Sequence, residues 1–542
     1  MTLAEHLPVL PVLLPALTAV LLLFIGDSPA RLRWARAVAL ASVALGAVLA
    51  VRLVEQAAGG TLGVYQLGGW PAPFGIVLVV DRLAALMLAL TSALALPVLW
   101  QACAGWDARG RHFHALFQFQ LMGLNGAFVT GDLFNLFVFF EVLLIASYVL
   151  MVLGLGRERL RVGLHYVALN LLASALFLVG VALVYATTGT LNLADLALRV
   201  PLVPAPEAAL LQAGALLLLV VFGFKAALVP LSMWLPATYA AASAPVAALF
   251  AIMTKVGVYA ILRVHGVVFG ADAGASALLV QPLLLPLALA TCVVGVVGAL
   301  AAATLPRLVA WLTVASVGSI LVALGLFGAA AWSAGLYYLL HSTLVVAALF
   351  LLAGLVAAQR GEAGDTLVPG PRVAQPALLG GLLVLGAASV TGLPPLPGFI
   401  GKLMLLQAAS QHGAAVAVWT VVLGVGLLTL VVLARAGSIV FWAARADLPA
   451  GGAPASWCAW APTALLLGAG VALSVFAAPA QRYTAAAAVQ LQDRAAYARA
   501  VLGGERAQST RPFRAPAASG PVSPPLAASA PDSLPPTRPA VP

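Results

Sequence analysis

The sequence predicts an all-α, polytopic membrane protein of about fourteen transmembrane helices. Three observations carry this expectation. Hydrophobic residues make up 63% of the 542 and charged residues only 8%, whereas soluble domains carry about 25% charge. Apolar segments of about twenty residues, the length that crosses a bilayer's hydrocarbon, recur from Met1 to about Ala480. The segments are continuous and not alternating, which argues against a transmembrane barrel.

In chain order the apolar runs fall at about 8–25, 33–54, 80–100, 112–130, 132–155, 163–187 and 208–230. They continue at about 245–268, 279–300, 306–328, 331–356, 376–410, 414–434 and 460–480. Several exceed the length of a straight crossing, so tilt or a break is expected. No basic stretch precedes the first run and no small-residue cleavage site follows it, so it reads as an uncleaved span. From about Arg506 the chain is rich in Pro, Ala and Ser and ends PVSPPLAASAPDSLPPTRPAVP. That composition cannot bury a core, and disorder is expected there.

Orientation follows from arginine, which concentrates in cytoplasmic loops. With the N-terminus outside, thirteen arginines fall in inside loops, Arg109, Arg159 and Arg360 among them, against Arg52, Arg82, Arg199 and Arg263 outside. An even number of spans then puts the C-terminus outside as well. The seven arginines after residue 480 do not overturn this, because long segments far from a span translocate despite their charge.

Two spans look broken. Prolines at 230, 236 and 245 interrupt ALVPLSMWLPATYAAASAPV, and Thr391–Gly398 interrupts ASVTGLPPLPGFIGKLMLL. Proline removes a backbone donor and clashes with the preceding turn. Backbone freed at membrane depth must be buried in protein or line a wet cavity. The breaks lie five spans apart, in spans seven and twelve. An odd offset reverses orientation, so spans four to eight and nine to thirteen are expected to be inverted five-helix repeats, a transporter signature. The expected divisions are an N-terminal three-helix segment at 1–111, repeats at 112–268 and 269–442, span fourteen within 443–480, and an extension at 481–542.

Composition also excludes functions. The net charge of +10 is spread through short loops and forms no nucleic-acid face. Cys103, Cys292 and Cys458 are far apart and form no CxxC, so no iron–sulfur, haem or zinc site is expected and no cofactor is assigned. There is no phosphate loop and no nucleophile triad, and the metal question stays open.

The chemistry lies in ionisable groups placed in oil. The chain has three lysines, Lys225, Lys255 and Lys402, and each lies in or against an apolar run. Glu141, in DLFNLFVFFEVLLIASYVL, is the acid deep within such a run. A charge at the bilayer centre costs roughly 2.5–3.5 kcal/mol on insertion scales, so its default reading is functional. Lysine suits a relay because it releases its proton when desolvated, which arginine does not do. Glu141 and Lys225 together read as a buried pair that opens and closes; a static pair locking two helices is the competing reading. For Lys255 and Lys402 the competing reading is snorkelling to an interface. His341, in GLYYLLHSTLVVAALF, reads as a further station, since imidazole passes protons through either nitrogen. His165 reads as interfacial.

The motifs TGDLFNLFVFFEVLLIASYVLM, FGFKAALVPLSMWLPATYAAASAPVAALFAIMTKVGVYAILRV and TGLPPLPGFIGKLMLL closely resemble the proton-translocating antiporter-like subunits. These are shared by multisubunit Mrp-type cation/proton antiporters and respiratory complex I, and the wording looks most like the D-type subunits of the former. The resemblance covers about residues 5–480. It implies fourteen helices, two inverted repeats, broken helices seven and twelve, and a mid-membrane chain of polar residues. The family's glutamate falls on Glu141, its lysines on Lys225, Lys255 and Lys402, and its histidine on His341. The implied function is the proton leg of Na⁺ or K⁺ exchange against H⁺, within a complex of several subunits in a bacterial inner membrane. That makes the chain part of a secondary transporter and not an enzyme. The alternative is a proton-pumping subunit of complex I or a membrane-bound hydrogenase.

Overall fold

A computed structural model describes residues 3–26, 28–443 and 451–503. The expected disorder from about Arg506, and Arg445 of the inside loops, lie outside the described residues. Helices α1 (Leu10–Ile25), α2 (Pro29–Ala58) and α3 (Arg82–Ala102) form the first segment. Then follow α4 (Phe113–Val129), α5 (Leu133–Val152), α6 (Arg157–Thr188), the short α7 (Leu193–Arg199) and α8 (Ala208–Ala226). The next pieces are α9 (Trp234–Ala241), α10 (Ala244–Phe250) and α11 (Met253–Ile261), which runs on as a π-helical stretch over Leu262–Val268. The second half holds α12 (Gln281–Leu300), α13 (Leu305–Gly325), α14 (Ala329–Gln359), α15 (Pro376–Thr391), α16 (Pro397–Ala409) and α17 (Ala415–Gly437). It closes with α18 (Trp457–Val475), α19 (Ala477–Gln492) and α20 (Arg494–Leu502).

Every expected run coincides with a helix or a pair of helix pieces. Among the described residues, eleven helices are long and apolar enough to cross a membrane, and α1 and α15 are shorter apolar helices. The fold departs from the all-α expectation at one place. Strands β1 (Gly63–Gln66) and β2 (Val77–Val80) pair antiparallel, Gly63 opposite Val80, in the loop before α3.

Both expected breaks are present. α8 stops at Ala226 because Ala227 turns left-handed (φ 61°), and Pro230 follows, so span seven ends four residues earlier than expected. The freed Val229 N–H donates to Thr291 Oγ1 on α12 at 3.0 Å, and Trp234 Nε1 donates to Phe224 O at 3.0 Å. Buried backbone groups thus find partners, as they must in hydrocarbon. α15 stops at Gly392 (φ 87°), and Pro397 opens α16 at its first position, where proline is tolerated.

Span eight, expected as one helix over 245–268, runs through with helical backbone but tightens to i→i−3 hydrogen bonds at Ala251–Ile252. α10 and α11 meet at Ala251–Ile252, and the π turn carries the C-terminal end.

Two arginines assigned to loops are buried. Arg263, counted outside, is 2% exposed and holds Asp81 in a bidentate pair, Nη1–Oδ2 at 2.6 Å and Nη2–Oδ1 at 2.9 Å. Arg360, counted inside, is fully buried and donates to the carbonyls of Gly364, Thr366 and Val368. Its fork closes the loop before α15. Buried guanidinium needs such partners.

A second buried carboxylate fastens the start of α2 and of α4 to the loop that follows α3. Asp107 is 2% exposed. It accepts from Arg36 Nε at 2.6 Å and Nη2 at 2.8 Å, and lies 3.0 Å from His114 Nε2. Burial alone would push its carboxyl up; the bonds from Arg36 and His114 outweigh that and hold it below the ordinary range. A carboxylate depressed in this way stabilises the fold above its unfolded value of about 3.9 and loses that contribution as pH falls through its folded value. The thermal midpoint of the solubilised chain will therefore fall with this group only below about pH 4. Asp107→Asn will lower the midpoint at neutral pH and flatten that acid slope. An unchanged acid slope in the variant refutes the assignment.

Candidate functional site

The five expected stations occupy five different elements. Glu141 stands on α5, Lys225 in the last turn of α8, Lys255 near the start of α11, His341 on α14 and Lys402 on α16. Lys255 and His341 are fully buried, Lys225 is 6% exposed, and Glu141 and Lys402 are partly exposed. All three ammonium groups find hydrogen-bond partners inside the protein.

Among the described residues Glu141 and Lys225 form no ion pair, and each is bonded to a side chain of α6. Lys225 Nζ donates to Asn170 Oδ1 at 2.8 Å. Glu141 Oε1 accepts from the Ser174 hydroxyl. Asn170 and Ser174 are four residues apart, so they share one face of α6. Asn170 Nδ2 in turn donates to Tyr166 O at 2.8 Å, which fixes the amide so that its oxygen faces the lysine. The rings of Phe140 and Phe224 lie about 6 Å from Nζ, at 6.0 and 5.9 Å. The pair expected to open and close stands parted here, in a bridged arrangement. Each charge is held by a neutral polar group, and the two groups stand one turn apart.

Among the described residues Lys255 has a single polar side-chain partner, Thr254 Oγ1 at 3.3 Å. Gly257, two residues on, lets α11 press against α8: a Cβ there would lie 2.5 Å from Ala226 N and 2.7 Å from Phe222 O. The helices bearing Lys225 and Lys255 are therefore in backbone contact.

The break in span twelve assembles the far end. Lys402 Nζ donates to Thr391 O at 2.7 Å and Val390 O at 3.2 Å. These are carbonyls left open where α15 stops, and a cation there also meets the negative end of the helix dipole. The same break brings Gly398 against His341: a Cβ on Gly398 would lie 2.9 Å from His341 Nε2. Both ring nitrogens of His341 lack a hydrogen-bond partner, and Tyr338 packs on the ring at 5.6 Å. Among the described residues no direct hydrogen bond joins Lys225 to Lys255, Lys255 to His341, or His341 to Lys402.

Sequence reasoning missed Asn170 and Ser174, although the run HYVALNLLASALF carries them as an i, i+4 polar pair in an apolar helix. It also missed Asp81 with Arg263, and His265, which is fully buried between Phe222 and Phe269 with neither ring nitrogen bonded. His165 is exposed. Ligand atoms of Cys103, Asp107 and His114 come within 4.8 Å of one another. Both Asp107 oxygens are already bonded to Arg36, so that cluster fits an ion-paired lock better than a metal centre.

Residues 130–428 match the family described as NADH:quinone oxidoreductase/Mrp antiporter, transmembrane. The chain is 42% identical over 543 residues to the D-type subunit of a probable K⁺/H⁺ antiporter of Rhizobium meliloti (strain 1021), covering 93% of this chain and 99% of that one. It is 38% identical over 444 residues to the D-type subunit of a Na⁺/H⁺ antiporter of Bacillus subtilis (strain 168), covering 81% and 88%. Among solved structures it matches a chain of the Mrp complex from Dietzia sp. DQ12-45-1b with a TM-score of 0.83 and 31% identity, over 93% of this chain and all of that one.

Proposed function

The chain belongs to the NADH:quinone oxidoreductase/Mrp antiporter transmembrane family, and from that premise we propose that it is the proton-carrying D-type subunit of a multisubunit Na⁺ or K⁺/H⁺ antiporter. The observation that carries this reading is the near end-to-end likeness, 99% of the relative's length, to a protein named as such an antiporter component. Protons move between Glu141, Lys225, Lys255, His341 and Lys402 at mid-membrane, through water where side chains do not touch. Asn170 and Ser174 hold the Glu141–Lys225 switch in its parted state. Direct contact of the two charges would favour both being ionised; parting them leaves the lysine free to give up its proton.

The two ends of the series support a role inside a larger complex. Glu141 and Lys402 are only partly covered by their own chain, and an ionisable group bare to lipid is costly. Neighbouring subunits would cover them. Residues 112–268 and 269–442 act as the inverted halves, each with its broken helix carrying or adjoining a lysine. The chain sits in a bacterial inner membrane with both termini outward, and it is part of a transporter without chemistry of its own.

The test is exchange itself. In everted vesicles containing the whole complex, added Na⁺ or K⁺ will dissipate a preformed pH gradient. Lys255→Ala and His341→Ala will each cut the initial rate at least tenfold, with the complex present in normal amount. Normal rates in both variants would remove the relay.

A further inference from the structure

Lys255 begins a polar stripe that the relay does not use. Tyr259 and Arg263 follow it at i+4 and i+8, so all three share one face of the same helix. The stripe spans about 12 Å at 1.5 Å per residue, a large part of the way from mid-membrane to the outer surface. The Tyr259 hydroxyl donates to Phe128 O at 2.7 Å and accepts from Arg263 Nη2 at 3.1 Å and Nε at 3.2 Å. Arg263 then grips Asp81, and the rings of Tyr259 and Tyr497 lie 5.2 and 5.8 Å from its guanidinium.

The stripe ends at a cavity of about 490 Å³ whose lining includes Asp81, Arg82, Arg263, Gln490, Asp493 and Tyr497. These residues come from the start of α3, the π turn after α11, and α19 with α20. All of them lie on the side that the arginine distribution places outside. α20 is tied down over this side by Arg494, which pairs with Asp272 at 3.3 Å. The cavity is large enough for many waters and its floor is the Asp81–Arg263 pair. A buried pair gains little stability over well-packed apolar residues, and its best-attested use is as a registry or switch device.

We infer that Lys255 exchanges protons with the outside along this stripe, and that the Asp81–Arg263 pair is the gate between the stripe and the outer cavity. While paired, Arg263 and Asp81 close the path, the carboxylate is taken up by the guanidinium, and the Tyr259 hydroxyl accepts from Arg263 and not from water. When the pair parts, Asp81 offers an acceptor and water reaches Tyr259. In the step itself an Nζ–H bond of Lys255 breaks and the proton joins a water beside Tyr259. A water of the cavity releases one to the outer solution, and Lys255 is left neutral. The inference rests on the proposed relay, since Lys255 must be loaded from somewhere.

The test uses the assembled complex carrying Cys103→Ser and Cys458→Ser, which leaves only the buried Cys292. Ala486→Cys then places a small thiol in the cavity wall. Impermeant cationic thiol reagents, one small and one bulky, are applied to right-side-out and to everted vesicles. The expected result is labelling from the outside only, with exchange slowed at least fivefold by the bulky reagent and less by the small one. Such dependence on reagent size would not arise from a purely structural role of the cavity. Tyr259→Phe, which removes only the hydroxyl, will slow exchange about tenfold with assembly of the complex unchanged. A thiol that does not react from outside, full labelling that leaves the rate unchanged, or a wild-type rate in Tyr259→Phe overturns the route. Lys255→Ala separates the two ideas: if that variant is inactive while labelling and Tyr259→Phe have no effect, the relay stands and the outer route falls.

Discussion

Lys225→Arg will abolish cation/proton exchange in everted vesicles, as will Lys225→Ala and Glu141→Ala, each by at least about a hundredfold in initial rate, the lower end of what a lost proton-transfer group costs. The arginine variant decides between the two readings of this pair. Arginine keeps the positive charge, and its fork can still donate to Asn170 Oδ1, which now holds Nζ at 2.8 Å. A static electrostatic lock between α8 and α6 would therefore survive the change. Arginine does not give up its proton at any pH the membrane meets, so a relay through position 225 would not survive it. The measurement is the rate at which added Na⁺ or K⁺ collapses the pH gradient, normalised to the amount of assembled complex. Wild-type exchange in Lys225→Arg would reduce the lysine to a structural cation, and wild-type exchange in Glu141→Ala would do the same for its partner.

What the sequence made legible follows from which forces act locally. Insertion into hydrocarbon depends on composition over about twenty residues, and the apolar runs therefore marked all the main helices. Proline and glycine act on their own backbone, so the breaks at Ala227–Met233 and Gly392–Leu396 were visible as prolines at 230, 394, 395 and 397. The tightening at Ala251–Ile252 was not visible, because no proline or glycine stands there. Ionisable residues in apolar runs announced themselves one by one. Their partners did not. Asp81 reads as an ordinary N-cap at the start of α3, whose side chain accepts from Ala84 N, and nothing in the chain signals a bidentate arginine 182 residues away. Arg263 lies within the expected run 245–268 and yet counts with the outer loop as a charge near its end; its burial depends on the same unseen Asp81 partner. Asn170 and Ser174 were legible as an i, i+4 pair, and only their function as a bridge needed three dimensions.

Gly257→Ala will destabilise the chain by about 1–3 kcal/mol, the usual range for overpacking, and will slow exchange even in the fraction that assembles. The reason is geometric. A methyl group at this position would meet Ala226 N at 2.5 Å, Phe222 O at 2.7 Å and Lys225 C at 2.9 Å. All three are backbone atoms, so no side-chain rotation relieves them, and α8 and α11 must part. Small residues allow close backbone approach between membrane helices, where there is no hydrophobic drive to close a gap. Here the approach also sets the separation of two stations, because Lys225 precedes Ala226 on one helix and Lys255 precedes Gly257 by two residues on the other. A larger gap would lengthen the step that water must bridge. The check is a thermal midpoint on the purified complex together with the exchange rate per assembled complex. If stability falls while the rate per complex is unchanged, the α8–α11 contact holds the fold together but does not set the proton step. If neither changes, the close contact itself is wrong.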